Sequence, residues 1–297
     1  MKTALLVQFL TNGLIIGTLY GMVAMCFVLI YKASRVVNFA QGEFLLVGAW
    51  ICWHLMTRHQ VPFLAGFLIT MVAMTLLGVL IQVLILRPLI GEPIISVIMA
   101  TIGISVVLHG AVNWIFGAEP RSFPKIFDTQ MVAIGQLNVE TIYVLSMSLG
   151  IAGMAAFAWF FQYSKMGLAM RATAFNQQVA QSLGVSVRRV FVVAWAISAL
   201  VSGIAGIVVG IVNGVSPGLA QFGIKVFPAV ILGGLDSIIG AVVGGVVVGL
   251  LENLSQFVDG EYLNWGNLYV IAPFYVLVLA LIVRPYGLFG TRDIERI

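Results

Sequence analysis

Charged residues are missing from this chain over six long stretches. None occurs between Lys2 and Lys32, Arg58 and Arg87, Glu92 and Glu119, Glu140 and Lys165, Arg189 and Lys225, or Glu261 and Arg284. Each gap exceeds the roughly 20 residues that a helix needs to cross about 30 Å of hydrocarbon. Between the gaps the chain has little polar surface to offer water. Of 297 residues, 61% are hydrophobic and 9% charged, whereas an ordinary globular domain is roughly a quarter charged. A soluble fold is excluded. The pattern predicts an all-α polytopic transmembrane bundle.

Hydropathy places spans near 7–31, 40–56, 63–86, 94–116, 141–162, 190–213, 238–257 and 267–283, with a shorter apolar run at 219–235. Basic residues in short loops mark the cytoplasmic side. Lys32, Arg35, Arg87, Lys165, Arg171, Arg188, Arg189, Arg284, Arg292 and Arg296 fall on one side, ten of the fifteen basic residues. The other side receives Glu119, Asp128, Glu140, Asp259 and Glu261. The N-terminus is therefore expected outside and the C-terminus inside, which needs an odd number of crossings. About nine spans, in a range of 8–10, satisfy this if 219–235 crosses or forms part of a broken pair. That run reaches only about 25 Å at 1.5 Å per residue and carries Lys225, Pro228 and Gly233–Gly234. A discontinuous helix is expected, which is tolerated only where protein or water surrounds it.

The length suits a single membrane domain, 1–297, with no room for a second folded unit. No GxxxxGK[ST] occurs, so no ATP-binding cofactor site is expected in this chain. The apolar run after Lys2 continues for a full span and does not resemble a cleavable signal. The net charge of +4 could suggest nucleic acid, but the basic residues flank membrane spans. Cys26 and Cys52 sit in apolar segments and suit small buried hydrophobes rather than a disulfide. His54, His59 and His109 lack metal-ligand spacing, and no nucleophile elbow supports a hydrolase. Gly240-x-x-x-Gly244 and Gly245-x-x-x-Gly249 suit close helix packing better than a phosphate cradle.

The most informative stretch is the basic loop 163–189, which contains no acid. Ala172, Ala174 and Ala180 lie along a short helical segment that Leu183-Gly184 ends with a C′ glycine. Positive charge alone could serve topology. Small residues on a short helix ended by glycine also suit docking into a groove on a partner. Three acids fall near or within spans, where an ionised carboxylate costs a few kcal/mol. Glu43 and Asp236 suit helix ends or the interface, and Glu252, though deeper, could extend towards it. Asn38, Gln41, Thr101, Ser105 and Asn213 are candidates for a substrate path. Interhelical hydrogen bonding is an equally good account of any one of them.

Several of these motifs, in this order, carry a resemblance. The run from Asn12 through Tyr31-Lys32-Ala33-Ser34-Arg35, Asn38-Phe39-Ala40-Gln41-Gly42-Glu43-Phe44, is similar to the opening of the branched-chain amino acid permease family of ABC importers. So are Phe227-Pro228 through Gly233-Gly234-Leu-Asp236 to Gly240-Ala241, and the ending Arg284-Pro-Tyr-Gly287-Leu-Phe-Gly290. The 163–189 loop resembles the coupling-helix region of such permeases, with Ala172, Ala174, Ala180, Leu183 and Gly184 as the contact to the ATPase. The resemblance covers nearly the whole chain and points to the shorter of the family's two permease types. It implies a heterodimer with a second related permease, two cytoplasmic ATPase subunits holding ATP and Mg, and a periplasmic substrate-binding protein. It also implies a multi-pass protein of the bacterial inner membrane that is not itself an enzyme. The cargo it implies is leucine, isoleucine and valine. Urea or short amides, and less directly a secondary transporter or channel, remain alternatives.

Overall fold

The computed structural model describes residues 2–124, 131–134 and 137–290. In chain order its helices are α1 Lys2–Ser34, α2 Gln41–Arg58, α3 Phe63–Ile81, α4 Ile94–Phe116, α5 Thr141–Tyr163, α6 Lys165–Phe175, α7 Gln177–Ser182, α8 Val187–Asn213, α9 Gln221–Gly233, α10 Ile238–Val258 and α11 Leu268–Val283. Every apolar run expected to be helical is helical. Proline and glycine set several boundaries. Pro62 and Pro93 precede α3 and α4 in extended geometry, which suits a ring with no N–H to give. Gly214, at φ 80°, turns the chain out of α8.

Six segments are long and apolar enough to cross a membrane: Leu5–Ser34, Phe63–Leu89, Ile94–Phe116, Thr141–Tyr163, Val187–Asn213 and Ile238–Leu263. The second and sixth lengthen through π-helical turns at Gln82–Leu86 and Asp259–Leu263. Pro217–Gly233 and α11 are apolar but shorter. The run expected to be broken opens with a 3-10 turn at Pro217–Ala220 and continues as α9, which holds Pro228 in its interior. Large apolar side chains stand out from α4, Ile95, Val106 and Trp114 among them. A helix face of this kind needs hydrocarbon or a partner around it, not water.

One departure from an all-α fold lies in the hydrophilic connection 117–140. Strand β1, Met131–Ile134, pairs antiparallel with β2, Leu137–Glu140, with Met131 opposite Glu140 and Ile134 opposite Leu137. Two strands of four residues each are too short for a search tuned to spans.

The described residues fall into two compact units, one within Met1–Val28, Phe127–Met154 and Lys225–Ile297, the other within Leu29–Ile126 and Ala155–Ile224. In the first, α10 carries two glycine stripes that face different neighbours. Gly245 and Gly249 meet Gly21 and Gly17 of α1, backbone against backbone, while Gly240 and Gly244 meet Gly233 and Ala229 of α9. Small residues allow this approach because dispersion falls steeply with distance and hydrocarbon supplies no hydrophobic drive. The C-terminal motif closes on the same region: the amides of Leu288 and Phe289 donate to the carbonyls of Leu232 and Gly233 at 2.8 and 3.1 Å. Two of the motifs that carry the resemblance are thus one structural element.

In the second unit α8 is the central helix. Gly206 lies against the Leu45 carbonyl of α2, and Gly48 of α2 lies against Gly203. Gly78 of α3 approaches the Trp195 carbonyl. Phe44 meets the Trp195 ring edge-on at 6.2 Å, a geometry suited to the ring quadrupoles.

Candidate functional site

The second unit holds all five residues marked for a substrate path, and it separates them into two kinds. Asn38, Gln41 and Thr101 are fully buried. Gln41 Oε1 accepts from Asn38 Nδ2 at 3.0 Å and from Ser198 Oγ at 3.1 Å, and its amide nitrogen donates to Ser202 Oγ. The Asn38 oxygen in turn accepts from the amide of Ala40 at 3.0 Å. Thr101 donates to the Ile98 carbonyl at 2.8 Å and accepts from the Phe39 amide at 3.4 Å. These groups satisfy one another, as buried polar atoms must, and they fasten the start of α2 to α8. Ser198 and Ser202, one helical turn apart, were the partners to look for: i, i+4 hydroxyls on an apolar helix facing a buried amide.

Ser105 and Asn213 are accessible. Asn213 is exposed at the end of α8. Ser105 Oγ donates to Glu43 Oε1 at 3.4 Å, and His109 Nδ1 lies 3.3 Å from Glu43 Oε2. Glu43 sits in the first turn of α2, where the helix dipole favours a carboxylate. Its side chain reaches across to α4. The half-exposed His109 is a partner that metal-ligand spacing alone passes over.

Loss of Gln41 distinguishes fastening from transport. Gln41→Ala leaves Asn38, Ser198 and Ser202 short of partners and is expected to destabilise the purified protein by about 1–3 kcal/mol. Thermal unfolding in detergent measures this. Lower uptake with unchanged stability would place Gln41 in the path instead.

The basic loop folds as α6 and α7. Ser164 caps α6 by accepting from the Gly167 amide at 2.8 Å. Asn176, in extended geometry, breaks what the sequence suggests is one helix and caps α7 through the amides of Gln178 and Val179 at 2.9 and 3.0 Å. The expected stop is present: Gly184 has φ 84°, the Val185 amide donates to Ala180 at 2.9 Å, and the Gly184 amide donates to Gln181 at 3.0 Å. That pair of bonds is a Schellman motif. Arg171 is tied to this chain by the Phe161 carbonyl and by the face of the Phe161 ring, 5.6 Å away. Arg35 holds the Ala174 carbonyl at 3.0 Å.

Among the residues marked for coupling, Leu183 and Gly184 are exposed, Ala172 and Ala174 half-buried, and Ala180 is 2% exposed. The Ala180 methyl is packed inside this chain and is not offered to a partner. Larger apolar groups are exposed instead. Phe175 is 93% exposed, Leu183 78% and Val179 53%. Small-residue spacing leads past Phe175 and Val179, although both stand in a segment otherwise rich in Gln and Asn.

In the first unit, Glu252 is paired within this chain. Tyr20 donates to Glu252 Oε2 at 2.5 Å and the Lys225 ammonium donates to Oε1 at 2.9 Å. The Lys225 head lies 5.8 Å from the centre of the Tyr269 ring. A carboxylate, a phenol and a lysine from three helices thus meet, the kind of pairing that charges inside a membrane require. Asp259 serves the backbone: its carboxylate accepts from the amides of Trp265, Gly266 and Leu268 at 2.9, 3.2 and 3.2 Å, shaping the entry to α11. Ser237 caps α10, accepting from the Gly240 amide at 3.0 Å.

Comparison with known proteins agrees with this architecture. The high-affinity branched-chain amino acid transport system permease protein LivH of Escherichia coli (strain K12) is 28% identical over 305 residues, covering 98% of this chain and 97% of that protein. The corresponding permease BraD of Pseudomonas aeruginosa is also 28% identical, with the same coverage. A probable LivH of Methanocaldococcus jannaschii is 27% identical over 95% of this chain and 91% of that protein. Among solved structures, PsaBC from Streptococcus pneumoniae in complex with Fab shares the fold, with a TM-score of 0.51 and 15% identity over 94% of this chain and 92% of that one. The family described as branched-chain amino acid transport system / permease component matches residues 9–283. The chain belongs to that family, and it is a multi-pass membrane permease.

Proposed function

We propose that this chain is the transmembrane subunit of an ABC importer carrying leucine, isoleucine and valine. The observation that carries this reading is the family match over residues 9–283, nearly the full chain. In this reading the chain pairs with a second, related permease in the bacterial inner membrane. It receives cargo from a periplasmic binding protein and is driven by two cytoplasmic ATPase subunits that hold ATP and Mg. Nine crossings, with Pro217–Gly233 as the short one, leave the N-terminus outside and the α6–α7 loop facing the ATPase. Phe175, Val179 and Leu183 support that docking: exposed apolar side chains on a polar loop become favourable when a groove removes them from water. Accessible Ser105, with Glu43 and His109, offers hydrogen bonds at membrane depth to a polar cargo, and Asn213 offers another at the end of α8.

Uptake by the reconstituted complex with its own binding protein tests the reading, using a panel of amino acids and urea. Saturable uptake of leucine, isoleucine and valine that stops without ATP is expected. ATP-dependent uptake of urea alone would replace the cargo and keep the machine. Uptake that persists without the ATPase subunits would make the chain a secondary transporter or channel.

A further inference from the structure

Arginines 188 and 189 stand where their own helix repels them. They occupy the first turn of α8, a 27-residue helix whose N-terminus has no side-chain cap and no acidic residue. The positive end of a helix dipole disfavours cations by the same rule that favours anions there. Membrane topology accounts for the side on which they lie but not for this placement. Arg87 joins them from the 3-10 turn that follows α3. The three line one cavity of about 430 Å³, and no carboxylate lines it. Among the described residues none of the three has a hydrogen-bonding or ion-pairing partner.

The same cavity also has an apolar side. Val83, Val192 and Val193 form its apolar wall. The Gln82 side-chain amide lies at the same cavity on a residue only 2% exposed, and among the described residues no group pairs with it. Glu92 lines an adjoining cavity rather than this one. Three guanidiniums and an apolar wall in one cavity, at the end of two membrane-spanning segments, match an amphiphilic anion. Guanidinium also binds phosphate oxygens bidentately.

We propose that this cavity binds an anionic phospholipid. Its phosphate sits on Arg87, Arg188 and Arg189 at the N-terminus of α8, and its acyl chain lies against Val83, Val192 and Val193. The lipid supplies the negative charge that the first turn of α8 lacks, and its polar backbone meets the Gln82 amide. The proposal concerns this chain in a membrane and holds whatever the cargo.

The test uses the assembled transporter, reconstituted in vesicles of phosphatidylglycerol and phosphatidylcholine in equal parts. The complex is re-extracted in mild detergent and its retained lipid is counted by mass spectrometry. Phosphatidylglycerol is expected to remain in preference to phosphatidylcholine. Each arginine removed, beginning with Arg188→Gln, is expected to lower its affinity about fivefold. Val193→Trp keeps every charge and fills the apolar slot, and it too is expected to lower retention. Equal retention of the two lipids, or unchanged retention in both variants, would overturn the proposal. So would displacement of phosphatidylglycerol by inorganic phosphate with no effect of Val193→Trp, which marks a site for the free anion. Loss of ATPase assembly in Arg188→Gln with lipid unchanged would assign the arginines to an acidic protein surface.

Discussion

Replacing Phe175 and Leu183 together by aspartate is expected to abolish ATP-driven uptake while leaving the permease folded in the membrane. Phe175 is 93% and Leu183 78% exposed, so neither supports the fold of its own chain. In a partner groove each would count as an apolar anchor, where truncation alone costs about 2–4 kcal/mol. Two anchors together correspond to at least about a thousandfold loss of affinity. Aspartate adds the cost of carrying a charge into the groove. Assembly with the ATPase subunits, measured by co-purification, should fall with uptake, while binding-protein docking should persist. Normal assembly and transport would reduce α6 and α7 to a topological determinant. Ala180→Asp makes an informative contrast. Because that methyl is buried within this chain, its replacement should lower the stability of the loop rather than act at a partner surface.

The second large effect concerns the α2–α8 crossing. A side chain at Gly206 would place its Cβ inside the Leu45 carbonyl group of α2, with Leu45 backbone on every near side. Backbone cannot turn away as a flexible side chain can, so Gly206→Leu must separate the helices. It must then also pull Gln41 from Ser198 and Ser202. A loss above about 4 kcal/mol is expected, in the range reserved for severe core lesions. Size-exclusion chromatography in detergent should show little monodisperse protein. Gly103 of α4 is the control, since nothing lies within 4 Å of a Cβ built there. Gly103→Leu should change stability by no more than about 0.5 kcal/mol and gain helix propensity. Equal behaviour of the two variants would mean that close backbone approach does not hold this unit together.

The helices were legible because the signal for each is long and redundant. A stretch such as 94–116 is apolar throughout, begins after Pro93 and ends at Gly117, so an error in one cue is corrected by the others. The glycine stripes of α10 were legible as close-packing positions, though not which stripe met which helix. What escaped was decided by one residue or by a distant partner. Asn176 splits α6 from α7 through two amide bonds that a helical pattern does not reveal. Ala180 faces inward because of tertiary packing, which makes a small residue indistinguishable by spacing from one offered to a partner. Polar candidates divided for the same reason. Gln41 and Ser105 are equally polar, and only the positions of Ser198, Ser202 and Glu43 separate a fastening group from an accessible one.

The meeting of Lys225, Glu252 and Tyr20 bears on what can power a conformational change. A lone lysine moving through the membrane field would exchange about 2.3 kcal/mol with it for every 100 mV crossed. Paired at 2.9 Å with Glu252, its charge is cancelled locally. Whatever displacement α9 and α10 undergo together then transfers almost no net charge across the bilayer. Through this pair alone, the resting membrane potential would have no purchase on such a movement, in an energised cell or in a depolarised vesicle.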